Sequence, residues 1–273
     1  KELEKQRMCP MDLARRLKQH EQKIYYYVRK LEDAGLIRVA EKEKRVGALA
    51  KVYELTSQAV TFKFSESPTI KKLTTRVTEL SFLHPFIEDG KFNSIVIIGS
   101  PDPHGKYKAS ASDGYCAINL ALFFGQFLKR LPVPFYKLDT QVKENDLKKN
   151  LILIGGPKAN MIAEKINKQL PIYFDYSEDF LDWSIVSNLS KKVYRDKRVG
   201  LIVRIKSPFK DGKEILVFAG KGFRGSRAAV LGFIRYIDVV QNGNDFDKTR
   251  IAKVVKGVDV DSDGIIDDVE FLE

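Results

Sequence analysis

Two cysteines in 273 residues, Cys9 and Cys116, are too few for a disulfide framework and show no metal-ligand spacing. Cys116 lies in an apolar helical run and is expected to be a buried small side chain. Histidine is equally sparse. His20, His84 and His104 are scattered, and no nucleophile is grouped with them, so no catalytic constellation is expected and the chain does not read as an enzyme. His104, with Asp102 and Asp113 in the same stretch, is the nearest approach to acid–base machinery, and its loop setting suggests polar surface instead. No apolar run reaches the ~20 residues of a membrane-spanning helix. The N-terminus has none of the charge-then-apolar pattern of a secretory signal. Few thiols and no export signal lead us to expect a cytoplasmic setting.

Charge, by contrast, is plentiful and uneven. The formal net charge is +11, yet Gly257 to Glu273 holds seven acidic residues and no Lys or Arg. The body is therefore basic and the tail acidic. A basic body favours polyanionic partners.

The stretch Met11 to Thr56 has the punctuation of a winged helix-turn-helix. Pro10 suits a first helical residue, where the missing N–H is tolerated. Leu13 and Leu17 share a helical face, and Lys18 to Glu21 is short and polar, as a tight turn between crossing helices requires. Ile24, Tyr27, Val28 and Leu31 repeat at helical spacing and are expected to pack on Leu13 and Leu17. Gly35 stops that helix. Leu36 to Ala40 and Lys51 to Thr56 then read as paired strands around a basic loop, the wing, with Lys42, Lys44, Arg45 and Gly47. In "YYYVRKLEDAGLI" and "KVYELT" this stretch resembles the ArsR-type (arsenical-resistance-repressor-like) winged-helix regulators of archaea.

The resemblance implies binding of double-stranded DNA, as a homodimer. Helical geometry then puts Gln22, Lys23, Tyr26, Arg29 and Lys30 on the face opposite Ile24 and Val28. Gln22 and Lys23, at the N-terminal end, are suited to base edges in the major groove. Arg29 and Lys30 lie further along and suit phosphate, as do Lys42, Lys44 and Arg45 of the wing. Lys1 to Arg7 reads as the end of a further helix, so residues 1–62 are expected to be a winged helix-turn-helix whose first helix is truncated.

Residues 63–91 read as a linker and docking helix, with Ile70, Leu73, Val77 and Leu80 on one face. From Phe92 the pattern becomes α/β. Ser94–Gly99 and Leu151–Gly155 are short continuous apolar runs of the kind that form strands covered on both faces. Phe135–Val142 and Ile172–Phe174 read as extended, and Val199–Lys206 with Glu214–Ala219 as a hairpin around Asp211-Gly212. Helices are expected over Asp113–Leu128, through Met161, Ile162 and Ile166, and over Arg227–Val240. Such alternation predicts an α/β layered domain over 92–273 with a largely parallel sheet.

Two strand-loop-helix units, LILIGGPKANMIAEKI and ILVFAGKGFRGSRAAVLGFI, each leave a strand through glycine. They could hold an anion with Lys158, Lys221, Arg224 and Ser226, or the glycines could serve only a tight turn. The spacing from Gly220 to Gly225 imitates a phosphate loop, but Ser226-Arg227 replaces the required Lys-Ser/Thr pair. In the tail, Asp259, Asp261, Asp263, Gly264, Asp267 and Glu270 match the spacing of a calcium loop, with the carbonyl of Ile265 as a further ligand. Ca2+ in a structural role is the cofactor this pattern predicts.

The segments "ASDGYCAINLALFFGQF", "LILIGGPKAN", "ILVFAGKGFRGSRAAVLGFI" and "GVDVDSDGIIDDVEFLE" together resemble the C-terminal region of archaeal S-layer proteins. That resemblance implies an α/β domain built for assembly. Two readings follow: a DNA-binding transcription regulator with an S-layer-like sensing or dimerisation domain, or a structural protein whose helical module makes protein contacts. An enzyme or nucleotide binder using the glycine loops is a third.

Overall fold

A computed structural model describes the chain except for residues 1, 46–47, 58–80, 131–132 and 177–181, and except for the side chains of residues 44, 45, 48 and 49. The predicted docking helix over Ile70–Leu80, Gly47, and the side chains of Lys44 and Arg45 therefore lie outside what is described. Contacts divide the chain into two units, Lys1–Leu73 and Thr74–Glu273.

The first unit has helices α1 (Glu2–Lys5), α2 (Pro10–Leu17) and α3 (Glu21–Asp33), then strands β1 (Ile37–Arg45) and β2 (Ala48–Leu55) as an antiparallel hairpin. Pro10 opens α2 as expected, and Lys18 ends it in the left-handed region at φ 52°. Gly35, at φ +67°, turns the chain out of α3, and the N–H of Leu36 bonds back to the carbonyl of Leu31 at 2.9 Å. Met8 forms a single antiparallel bridge to Tyr53 of β2. The core here is Met8, Leu13, Ala14, Ile24, Val28, Ile37 and Tyr53. Leu17, Tyr27 and Leu31, expected inside, are 45%, 50% and 38% exposed. Met8 and the two hairpin residues close a core that only Ile24 and Val28 of α3 enter.

The second unit runs β3 (Ile87–Glu88), β4 (Lys91–Phe92), β5 (Ser94–Ile98), α4 (Gly114–Gly125), β6 (Tyr136–Leu138), α5 (Glu144–Leu147), β7 (Asn150–Ile154) and α6 (Met161–Ile166). It continues with β8 (Ile172–Tyr176), β9 (Trp183–Ser187), β10 (Val193–Tyr194), β11 (Val199–Lys206), β12 (Glu214–Gly220), α7 (Phe223–Arg235), α8 (Ile237–Gln241), β13 (Ala252–Val258) and β14 (Asp268–Phe271). Seven strands form one sheet in the order β14-β13-β11-β12-β7-β5-β6. It is mixed rather than largely parallel: β12, β7, β5 and β6 are parallel neighbours, whereas β12–β11, β11–β13 and β13–β14 are antiparallel. The hairpin from β11 to β12 reverses the direction, and two further antiparallel strands follow, β13, unassigned from the sequence, and β14, within the stretch read as an acidic tail.

Alternation along the strands fills both faces. Val96, Ile152, Ile154, Leu216 and Phe218 meet Leu120, Phe124, Ala229 and Phe233 of α4 and α7 on one side. Ile97, Leu151, Leu153, Val217 and Ala219 meet Ile162 and Ile166 of α6 and Phe174 and Trp183 on the other. That second layer is completed by a three-stranded sheet, β10-β9-β8, of which only the start of β8 was legible. The two loops that follow β7 and β12 therefore emerge side by side at the carboxyl ends of parallel strands.

Candidate functional sites

In open α/β sheets ligands enter at the carboxyl ends of the strands, where strand order reverses. Here the chain passes from β5 to β6 on one side and to β7 on the other, so the reversal lies between β5 and β7. That crevice is closed by side chains. Asn160, buried at the N-cap of α6, donates to the carbonyls of Ile97 (3.2 Å) and Ile154 (3.0 Å). Its amide oxygen accepts from the N–H groups of Ile162 (3.0 Å) and Ala163 (3.2 Å). Beside it the buried Asp139 accepts from the N–H groups of Ser100, Thr140 and Met161 at 2.8–2.9 Å.

His104 completes this network. Its Nε2 lies 2.7 Å from Asp139 Oδ2 and its Nδ1 2.7 Å from the carbonyl of Asp102. Both ring nitrogens face acceptors, so only the imidazolium donates to both. Burial opposes that charge, but the hydrogen bonds to Asp102 and Asp139, with the carboxylate's own charge, hold the His104 pKa above its ordinary value. His104 is thus a largely covered partner of Asp139, not loose polar surface. Its Asp113 neighbour in sequence is engaged elsewhere, buried and accepting from the Ser226 hydroxyl at 2.7 Å. Burial pushes the Asp113 carboxyl upward, against the pull of the Ser226 and Ser112 hydroxyls. Cys116 is buried as expected, and burial raises its thiol to about 12.

One strand over, between the ends of β7 and β12, a cleft of about 190 Å³ is lined by Gly156, Pro157, Lys158, Phe174, Trp183, Lys197, Gly220, Lys221 and Gly222. The two glycine loops singled out in the sequence are thus brought to one place, with Lys158 and Lys221 on its wall. The other two expected residues are not. α7 begins at Phe223, so Arg224 and Ser226 fall in its first turn, where Ser226 is buried against Asp113. Arg224 lies beside the ring of Phe223. Sequence reasoning missed Trp183 and Phe174, which come from the second layer, and Lys197, from the connection between β10 and β11; none of them carries a local signal. Lys158 Nζ lies 5.9 Å from the Trp183 ring centre. Lys221 Nζ binds Asp182 at 3.1 Å and the carbonyl of Arg195 at 2.9 Å.

In the tail, one carboxylate oxygen from each of Asp259, Asp261 and Asp263 can lie within 4.8 Å of the others. Asp259 also accepts from the N–H groups of Asp263 (3.1 Å) and Gly264 (2.8 Å), and Asp263 from that of Ile265 (2.8 Å). Asp267 accepts from the N–H of Val260 at 3.1 Å. Glu270 stands on β14 opposite Lys256, outside the group of three. The donor set suits a hard cation, with three carboxylates toward the six to eight oxygens that calcium takes.

On α3 of the first unit, Gln22, Lys23, Tyr26, Arg29 and Lys30 are all exposed, as are Tyr25 and Tyr27. Lys23 Nζ donates to Gln19 at 3.1 Å, and Lys30 Nζ lies 5.7 Å from the Tyr26 ring centre. Several nearby acids are engaged elsewhere. Glu2 pairs with Arg16 (2.7 Å) and Lys5 (3.1 Å), and Glu54 with Arg7 (2.7 Å) and Arg38 (2.8 Å). Glu32 accepts from the Tyr53 hydroxyl at 3.1 Å.

Part of the α/β unit is similar to known proteins. Residues 104–237 match the S-layer like family, outer domain. This stretch runs from His104 through the cleft and α7 to the first residue of α8. The chain is also 31% identical over 112 residues, 41% of its length, to the uncharacterized protein MJ0954 of Methanocaldococcus jannaschii. That likeness spans 22% of the relative's length. No helix among the described residues is long and apolar enough to cross a membrane.

Proposed function

We propose that the first unit is a winged helix-turn-helix that binds double-stranded DNA, and that the chain is a cytoplasmic transcription regulator with an S-layer-like domain for sensing or dimerisation. The observation that carries this reading is the face of α3. The helix commits only Ile24 and Val28 to the core and leaves Gln22, Lys23, Tyr26, Arg29 and Lys30 exposed together. The order of helix, bridged Met8, two helices and hairpin agrees with a winged helix, whose second helix of the pair enters the major groove. In this reading Gln22 and Lys23 reach base edges, Tyr26 offers apolar contact, and Arg29 and Lys30 hold phosphate. Lys42, with Lys44 and Arg45, follows the backbone from the hairpin. The acidic loop at Asp259–Asp267 holds Ca2+ as a structural ion.

The test is binding of a labelled duplex to the full chain and to a Gln22→Ala/Lys23→Ala/Arg29→Ala variant. The reading expects a loss of roughly ten-fold or more, since one bidentate base contact alone contributes about 1–3 kcal/mol. Equal affinity of the two proteins would overturn it.

A second reading, a structural assembly protein, is favoured by the family match and by α4. Ile118 and Leu122 of that helix are 62% and 71% exposed on one uncharged face. Paired copies would bury such a face. A Leu122→Lys variant that turns a larger particle into a monomer, with no duplex binding by either protein, would replace the first reading with this one.

A further inference from the structure

We infer that the cleft between the ends of β7 and β12 is a binding site for a small phosphate-bearing anion, independent of any duplex on the first unit. The argument begins with the glycines. Gly200, Gly220 and Gly225 are explained by the fold: a Cβ on any of them would come within 2.2 Å of backbone, because the first turn of α7 is seated directly on β11 and β12. Gly222 has no such reason. A Cβ there meets nothing within 4 Å, and its φ of −161° is extended backbone open to any residue. It also occupies the N-cap of α7, where Ser, Thr, Asp or Asn would supply a capping hydrogen bond. The helix forgoes its cap, and what the missing side chain leaves is open space at the wall of the cleft.

The lining chooses the ligand. Among the described residues, three lysines, Lys158, Lys197 and Lys221, stand against one carboxylate, that of Asp182 on Lys221. Lys197 has no hydrogen-bond or ion-pair partner among the described residues. The facing walls are Trp183 and Phe174, 6% and 3% exposed, and low-polarity walls strengthen the pull of such charges. A cleft of about 190 Å³ is smaller than the roughly 300–1,000 Å³ of sites for drug-sized ligands. It suits one phosphate group with a small body rather than a polymer. The aromatic wall accommodates that body, and the lysines take the oxygens as point charges.

The chain has a single tryptophan, and it forms part of this wall, so its emission reports the site. The full chain is titrated with inorganic phosphate and with phenyl phosphate at matched ionic strength, with phenol as the uncharged counterpart. We expect a saturable change in Trp183 emission with a phosphate probe and none with phenol. Tighter binding of phenyl phosphate assigns the site to a phosphorylated molecule, and equal binding assigns it to free phosphate. Lys197→Ala, an exposed position, should weaken binding roughly ten-fold or more, as losing a charge-assisted hydrogen bond does. Gly222→Gln should abolish it, while Lys210→Ala at the opposite end of β12 leaves it unchanged. No response to either phosphate probe, an equal response to phenol, or indifference to both Lys197→Ala and Gly222→Gln would overturn the assignment.

Discussion

Asn160 uses every hydrogen-bonding group of its amide, capping α6 with the oxygen and tying the ends of β5 and β7 with the nitrogen. Removing it deprives a helix of its cap and leaves buried carbonyls without a donor. Asn160→Ala should therefore lower stability by roughly 2–4 kcal/mol in denaturant unfolding. His104 offers a test by pH. Its folded pKa is raised, so the stabilisation it gives is fully present below the unfolded value of about 6.5 and is lost as pH rises through the folded one. The melting temperature of the native chain should exceed that of His104→Ala by more at about pH 5.5 than at about pH 8.5. An equal difference at both would mean that the imidazolium is not what Asp139 holds.

At the scale of elements, α7 is seated tightly on the main sheet. A Cβ at Gly225 would lie 2.2 Å from the carbonyl oxygen of Val199, which the rigid strand β11 cannot move away. Gly225→Ala should cost at least about 1–3 kcal/mol, as overpacking does, read again as a shift in the unfolding midpoint. Elements with strong local signals were legible in the sequence. Pro10, Gly35 and the apolar runs at Ser94–Ile98 and Asn150–Ile154 each announce a helix start, a helix stop or a buried strand within a few residues. What escaped depends on distant partners. β13 is not read as a strand and β14 reads as part of an acidic tail, because only their pairing with β11 and with each other reveals them. The cleft was half legible. Glycine marked both loops, but Trp183 reaches them from a separate layer and Lys197 from the connection before β11, and Ser226 was misjudged because α7 starts earlier than its apolar periodicity suggests.

For the whole molecule, the two units set separate expectations. In the second, the acidic loop joins β13 to β14, so an ion there would brace the edge of the main sheet. A ligand that binds only the folded form raises stability. Calcium should raise the melting temperature of the full chain, a chelator should reverse the gain, and Asp261→Asn should abolish it. A melting temperature indifferent to calcium and chelator would remove the ion from the account. For the first unit, the proposed contact of Lys23, Arg29 and Lys30 with DNA carries an expectation about salt, because contacts to phosphate release counterions.

The most direct measurement of that central claim is the affinity of the full chain for duplex DNA as a function of salt. The account predicts that log affinity falls linearly with log salt, and that Arg29→Ala/Lys30→Ala lowers the slope by about two as two phosphate contacts are lost. An affinity flat in salt, or a slope the variant leaves unchanged, would contradict it.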